Sequence, residues 1–124
     1  MNAQTQYVRL TKRLSEADGY IDLGMSQHAL NRLDGIGAAG PFAPAVAMLR
    51  GKALWQQKRF DEAAKQLREA ADGLSTPMSR QAWLALSLYY QRQGDVEEAV
   101  DALSKARGAN PTTKRSTLRP GGTA

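Results

Sequence analysis

The chain contains no cysteine and a single histidine, His28. Disulfides and thiolate metal sites are therefore excluded, and one imidazole cannot assemble a metal cluster. Long apolar runs are missing as well: no stretch approaches the roughly 18 consecutive apolar residues that a membrane span requires, and the first ten residues lack the basic segment and apolar run of a secretory signal. A soluble, cytoplasmic protein is the resulting expectation. Acid is absent from residues 112–124, which carry Lys114, Arg115 and Arg119, so three of the five net positive charges sit in that tail. Three tail charges with no aromatic residue among them give little reason to expect nucleic-acid binding. The tail is also without apolar periodicity, and disorder is expected for it.

What the sequence does have is a repeated pattern. Between Arg80 and Pro111, Trp83, Leu86, Ser87 and Tyr90 fall on one face of a helix. Gly94 is placed to end that helix, and Asp95 to cap the next one with Glu98 three residues on. Ala99, Leu103 and Ala106 then form a second stripe, and Asn110-Pro111 closes the unit. The same spacing occurs earlier at Ala63, Leu67 and Ala70, and again at Ala29, Leu33 and Ile36, at intervals of 36 and 34 residues. The extra two are assigned to an extended turn at Ser75 to Ser79. Ala17, Gly51 and Ser87 recur in phase where paired helices must approach closely, since a larger side chain there would hold the backbones apart.

This order of Trp, Leu, small, Tyr, Gly, Ala, Leu, Ala and Pro resembles the tetratricopeptide repeat, a 34-residue helix-turn-helix unit that buries its apolar face by stacking. The resemblance covers about residues 10–113 and implies an all-α, right-handed solenoid of three helix-turn-helix repeats, at about 10–43, 44–79 and 80–113. Residues 1–111 would form a single domain and 112–124 a disordered basic tail. The architecture is similar to that of three-repeat bacterial secretion chaperones.

Taken in order, residues 1–6 are expected to fray and a helix to run from Tyr7 to about Asp22, stopped by Gly24. Arg13 and Glu16 stand where the third repeat has Trp83 and Leu86; an outermost repeat has no neighbour to cover that face, so charge is tolerable there. Ser26 is a plausible cap for the second helix, with Gly35 and Gly37 at its end, and Pro44 fits the first turn of the third. Arg50 and Ala47 depart from the larger apolar residues usual at their places. Phe60 should fill the gap between the helices of the second repeat, Asp61 and Glu62 favour a helix start, and Ser75 or Thr76 should cap a helix begun by Pro77. Val100, on the last helix, is expected to be partly uncovered.

No catalytic constellation occurs. Asp61 with Glu62, and Glu97 with Glu98, are sequence neighbours that diverge on a helix and cannot flank a substrate bond. The glycines from Gly35 to Gly40 have neither a preceding strand nor a following Lys-Ser/Thr, so they are not a phosphate loop. His28 reads as a surface residue. A non-catalytic protein without cofactor or metal is expected.

The resemblance places the first helix of each repeat along a concave groove. Thr11, Leu14, Asp18 and Ile21, then Ala45, Met48, Lys52 and Trp55, then Gln81, Leu84, Leu88 and Gln91 would line it. The groove residues expected to bind a partner are Leu14, Asp18, Ile21, Met48, Lys52, Trp55, Leu84, Leu88 and Gln91, with Trp55 as the principal anchor. The basic and amide residues with which some members clamp a peptide carboxylate are replaced by Leu14, Asp18, Leu49, Gln81 and Ala85. The partner expected is therefore an apolar or amphipathic segment of another protein. The alternative is a self-assembling unit that stacks through its uncapped last repeat into a homo-oligomer.

Overall fold

The computed structural model describes residues 3–36, 40–75 and 77–108. The described residues are helical and fall into two compact units, Met1–Leu74 and Ser75–Ala124. The first contains α1 (Ala3–Asp22), α2 (Ser26–Asp34), a 3-10 turn at Gly40–Phe42, α3 (Ala43–Gln56) and α4 (Phe60–Gly73); the second contains α5 (Met78–Gln93) and α6 (Val96–Arg107). The helices pair in sequence as α1 with α2, α3 with α4 and α5 with α6. The expected tail at 112–124 and the closing Asn110-Pro111 lie outside the described residues.

One turn is built three times. At the end of α1, Gly24 adopts φ 75° and the amide of Met25 donates to the carbonyl of Tyr20 at 2.8 Å. At the end of α5, Gly94 adopts φ 78° and the amide of Asp95 donates to Tyr90 at 2.9 Å. Between α3 and α4 the same bond runs from Arg59 to Leu54 at 2.9 Å, but the left-handed position is held by Lys58, φ 63°. These are Schellman closures, in which a left-handed residue lets the chain reverse while satisfying the last helical carbonyls. The residue after each, Met25, Arg59 or Asp95, accepts from the amide four positions on, at Ala29, Ala63 or Ala99. Only Asp95 adds a side-chain cap, accepting from the amide of Glu98 at 3.4 Å.

Three helix starts differ from the sequence reading. α1 begins at Ala3, not Tyr7; its early residues are adequate helix formers, and the Tyr7 ring meets Phe42 edge-on at 5.3 Å, which ties the first turns down. Ser26 lies inside α2, with Met25 at the cap position because the preceding turn needs its amide. Pro77 occupies the cap position of α5 without a side-chain cap from Ser75, and Thr76 lies outside the described residues. Pro44 sits in the first turn of α3 and Asp61 and Glu62 in that of α4, as expected.

Packing inside each pair follows the repeated stripes. Ala29, Leu33, Ala63, Leu67, Ala70, Ala99 and Ala106 are buried, and Ile36 and Leu103 are half-buried. The small positions Ala17, Gly51 and Ser87 are buried opposite them. At Gly51 the approach is close: a methyl group there would stand 2.8 Å from Leu67 Cδ2 and 2.9 Å from its Cγ. In the first unit a core forms from Ala17 and Ile21 of α1, Ala29, Leu30 and Leu33 of α2, Val46, Ala53 and Leu54 of α3, and Ala63 of α4.

The charges of the first repeat face its partner helix, which corrects the expectation that Arg13 and Glu16 belong to an open outer face. Both Nε and Nη2 of Arg32 on α2 donate to Glu16 Oε1. Arg13 Nη1 donates to the carbonyl of Arg32 at 3.2 Å, and Arg50 Nη2, from α3, donates to the carbonyl of Leu33 at 3.3 Å while its Nη1 pairs with Asp34 at 3.4 Å. Two guanidinium groups thus donate to carbonyls at the end of α2, where that of Leu33 also accepts from the Ile36 amide at 3.1 Å, and stand at the negative end of its dipole. Arg80 does the same at the end of α6, donating to the carbonyl of Ala106 at 3.0 Å. The hydrogen bond from Arg32 holds the Glu16 carboxyl below its ordinary range against the opposing cost of desolvation, aided by the charges of Arg32, Lys12 and Arg13.

Four stability measurements follow from this packing. Leu67 is fully buried and cannot retreat, so the overpacking in Gly51→Ala, about 1–3 kcal/mol, outweighs a helix-propensity gain of about 1 kcal/mol and lowers the urea midpoint. Gly19→Ala on α1 meets nothing within 4 Å and stabilises by about 0.5–1 kcal/mol, raising the midpoint. Lys58→Gly relieves a left-handed lysine and stabilises by up to about 1 kcal/mol, whereas Gly24→Ala and Gly94→Ala destabilise by a similar amount in the same denaturation series. Because the Glu16 pKa is depressed, its stabilisation is present above the ordinary value of 4.5 and is lost as pH falls through the folded-state pKa. Thermal midpoints of Glu16→Gln and the parent should therefore differ at neutral pH and converge in acid.

Candidate functional site

The residues expected to line a groove separate into enclosed and open sets. Within the first unit, Ile21 is 6% exposed and belongs to the core, while its carbonyl accepts Gln56 Nε2 at 2.7 Å. Met48 is 8% exposed, and Leu14 is half-buried against the core cluster. Trp55 does not stand free as an anchor. Its indole packs on the same core and meets the Phe60 ring edge-on at 4.9 Å, so it bridges α3 to the start of α4, the gap assigned to Phe60 alone. Asp18 and Lys52 remain at the surface, where they pair between α1 and α3 at 4.0 Å.

The second unit is different. Leu84 is 42% exposed and Leu88 53% exposed, and with Gln91 they lie at i, i+4 and i+7, one stripe of α5. Gln81, one turn before Leu84, extends the stripe and is also exposed. The opposite side of α5 is fixed by burial of Leu86 and Ser87 in the α5 and α6 pair, and the Ser87 hydroxyl donates to the carbonyl of Leu84 at 2.7 Å. Trp83, half-buried, carries the Lys105 ammonium over its ring at 4.6 Å, a cation–π contact that further ties α6 to α5. The helix is thus held rigidly by one face and presents two leucines and two amides on another. Such a surface can bury an apolar segment and hydrogen-bond its backbone. It carries no nucleophile or base.

The sequence reading missed a polar cleft in the first unit. A hollow of about 390 Å³ opens among α2, α3 and α4, lined by Asp34, Arg50, Arg59, Glu62 and Lys65 together with Leu30, Leu54 and the amides of Gln27 and Gln66. Charges from three helices meet there, a grouping that only the packing of the pairs creates. Its acids are committed: Asp34 pairs with Arg50, and Glu62 accepts from both Arg59 Nε and Nη2 at 2.7 and 2.8 Å. That bidentate pair lowers the Glu62 pKa and raises that of Arg59. His28 is exposed, its ring tilted against Tyr20 at 5.3 Å. Among the described residues no group of three His, Cys, Asp or Glu could hold a metal ion, and no helix is long and apolar enough to cross a membrane.

A family model described as Tetratricopeptide repeat matches residues 14–76 and, in an overlapping register, residues 48–112. No curated protein and no solved structure matches the chain. Paired helices joined by one turn built three times, small residues recurring at the helix crossings and a family match over most of the sequence place this chain in the tetratricopeptide-repeat family, whose repeats generally mediate contacts between proteins.

Proposed function

We propose that the chain is a non-catalytic interaction module that holds an apolar or amphipathic segment of a partner protein against α5. The observation that carries this reading is the exposed stripe of Leu84 and Leu88, 42% and 53% accessible on a helix whose other side is fixed. Burying a leucine is worth about 1.5–3 kcal/mol, so two adjacent ones can anchor a short segment once the cost of ordering it is met. Gln81 and Gln91 flank the leucines and supply amides for the segment's backbone, which suits either an extended peptide or a helix. The groove anticipated from the sequence narrows to this face, because Ile21, Met48 and Trp55 are engaged in packing.

The test is panning of a random peptide library against the immobilised protein, followed by titration of the enriched peptides. Apolar sequences should dominate, with affinities that change little between low and high salt. Leu84→Glu and Leu88→Glu should each weaken binding by about tenfold or more, since each removes one anchor, while the circular dichroism spectrum stays helical. Peptides that bind both variants as well as the parent would rule out the α5 face, and binding abolished by salt would favour the basic tail.

A further inference from the structure

A second apolar surface lies on α6 and is independent of the α5 stripe. Val96 is 69% exposed and Val100 58% exposed, one turn apart, and the half-buried Leu103 and exposed Arg107 continue the same line at i+7 and i+11. The equivalent place in the first repeat, on α2, is held by Leu30, which is 8% exposed and part of the core. The repeat pattern therefore puts an apolar residue at Val100 where an earlier repeat has it covered.

The charges on α6 indicate what covers it. Its first turn carries Glu97 and Glu98 and its last turn Lys105 and Arg107; Lys105 is held by Asp101 at 3.1 Å and by the Trp83 ring, so Arg107 is the base that continues the exposed stripe. A helix with acid at one end, base at the other and an apolar middle is complementary to itself when turned antiparallel, and only then: parallel alignment would set acid on acid. Antiparallel pairing also opposes the two helix dipoles favourably. A head-to-tail arrangement has a poorer match, because the exposed stripe of α1 offers one apolar side chain, Val8 at 58% exposure, and continues as Lys12, Ser15, Gly19 and Asp22.

We propose that two copies of this chain associate through α6, antiparallel about a two-fold axis at the middle of the Val96 to Arg107 stripe. Val100 of each copy then packs toward Leu103 of the other, and the Glu97 end of one helix lies beside the Arg107 end of its mate. Such an interface is isologous and closes as a dimer without further growth.

Sedimentation equilibrium on the full chain over a wide concentration range, at low and moderate salt, tests this. The expected result is a monomer–dimer equilibrium that Val100→Glu weakens by about tenfold or more. Glu97→Lys and Arg107→Glu should each raise the dimer Kd by about two- to fivefold, the range of surface ion pairs, and the double variant carrying both should return toward the parent value. These side chains are solvent-exposed, so circular dichroism should be unchanged in all variants. A monomer at every concentration overturns the proposal, as does a dimer indifferent to Val100→Glu or one in which the double reversal fails to recover. Leu84→Glu leaves the dimer intact, so this result and the peptide titration on α5 can fail separately.

Discussion

Everything in this chain depends on how closely two helices can lie. A helix-turn-helix unit with a reversal of two or three residues leaves its helices little freedom to separate, so the residue at each crossing must be small, and the chain supplies Ala17, Gly51 and Ser87. At Gly51 the constraint is tight, because the neighbouring Leu67 side chain occupies the volume a β-carbon would need. The stripes on the facing helices, Ala29 and Leu33, Ala63 and Leu67, Ala99 and Ala106, are alanine-rich for the same reason. Close approach limits the area each pair can bury, and the charged contacts at helix ends add to what the small core provides.

The turn is the second invariant. Its hydrogen bonds are the same at all three sites although the sequences Leu-Gly-Met, Gln-Lys-Arg and Gln-Gly-Asp have little in common. Two of the three could be read from their glycines. The third could not, because a lysine in the left-handed region carries no sequence signal; register alone, 34 residues after Gly24 and 36 before Gly94, locates it. Helix ends were less legible than helix faces. Ser26 and Ser75 are good capping types, but the preceding turn had already taken the cap position in one case and a proline in the other.

The candidate site shows where periodicity stops informing. Leu14 and Leu84 hold the same place in their repeats, yet one leans on a core and the other is 42% exposed. A spacing rule assigns a side chain to a face of its helix; it does not say whether another helix covers that face. Trp55 illustrates the converse: its place outside the main stripe suggested an indole free to anchor a partner, whereas the aromatic edge of Phe60 claims it. The charges of Arg13 and Glu16 were misread for a related reason: at an apolar position charge looks like exposure, whereas here the groups are half-buried and bonded across helices.

The arginines that bond the end of α2 have a consequence for motion. α2 spans nine residues, fewer than the roughly 12–15 that make an isolated helix even marginal. Its terminal carbonyls are held by Arg13 from the helix before it and by Arg50 from the helix after it. A segment so short and so tied has no opening of its own to make: its amides would exchange with solvent when α1 or α3 lets go, so the first repeat and the start of the second should behave as one cooperative element on the hydrogen-exchange timescale.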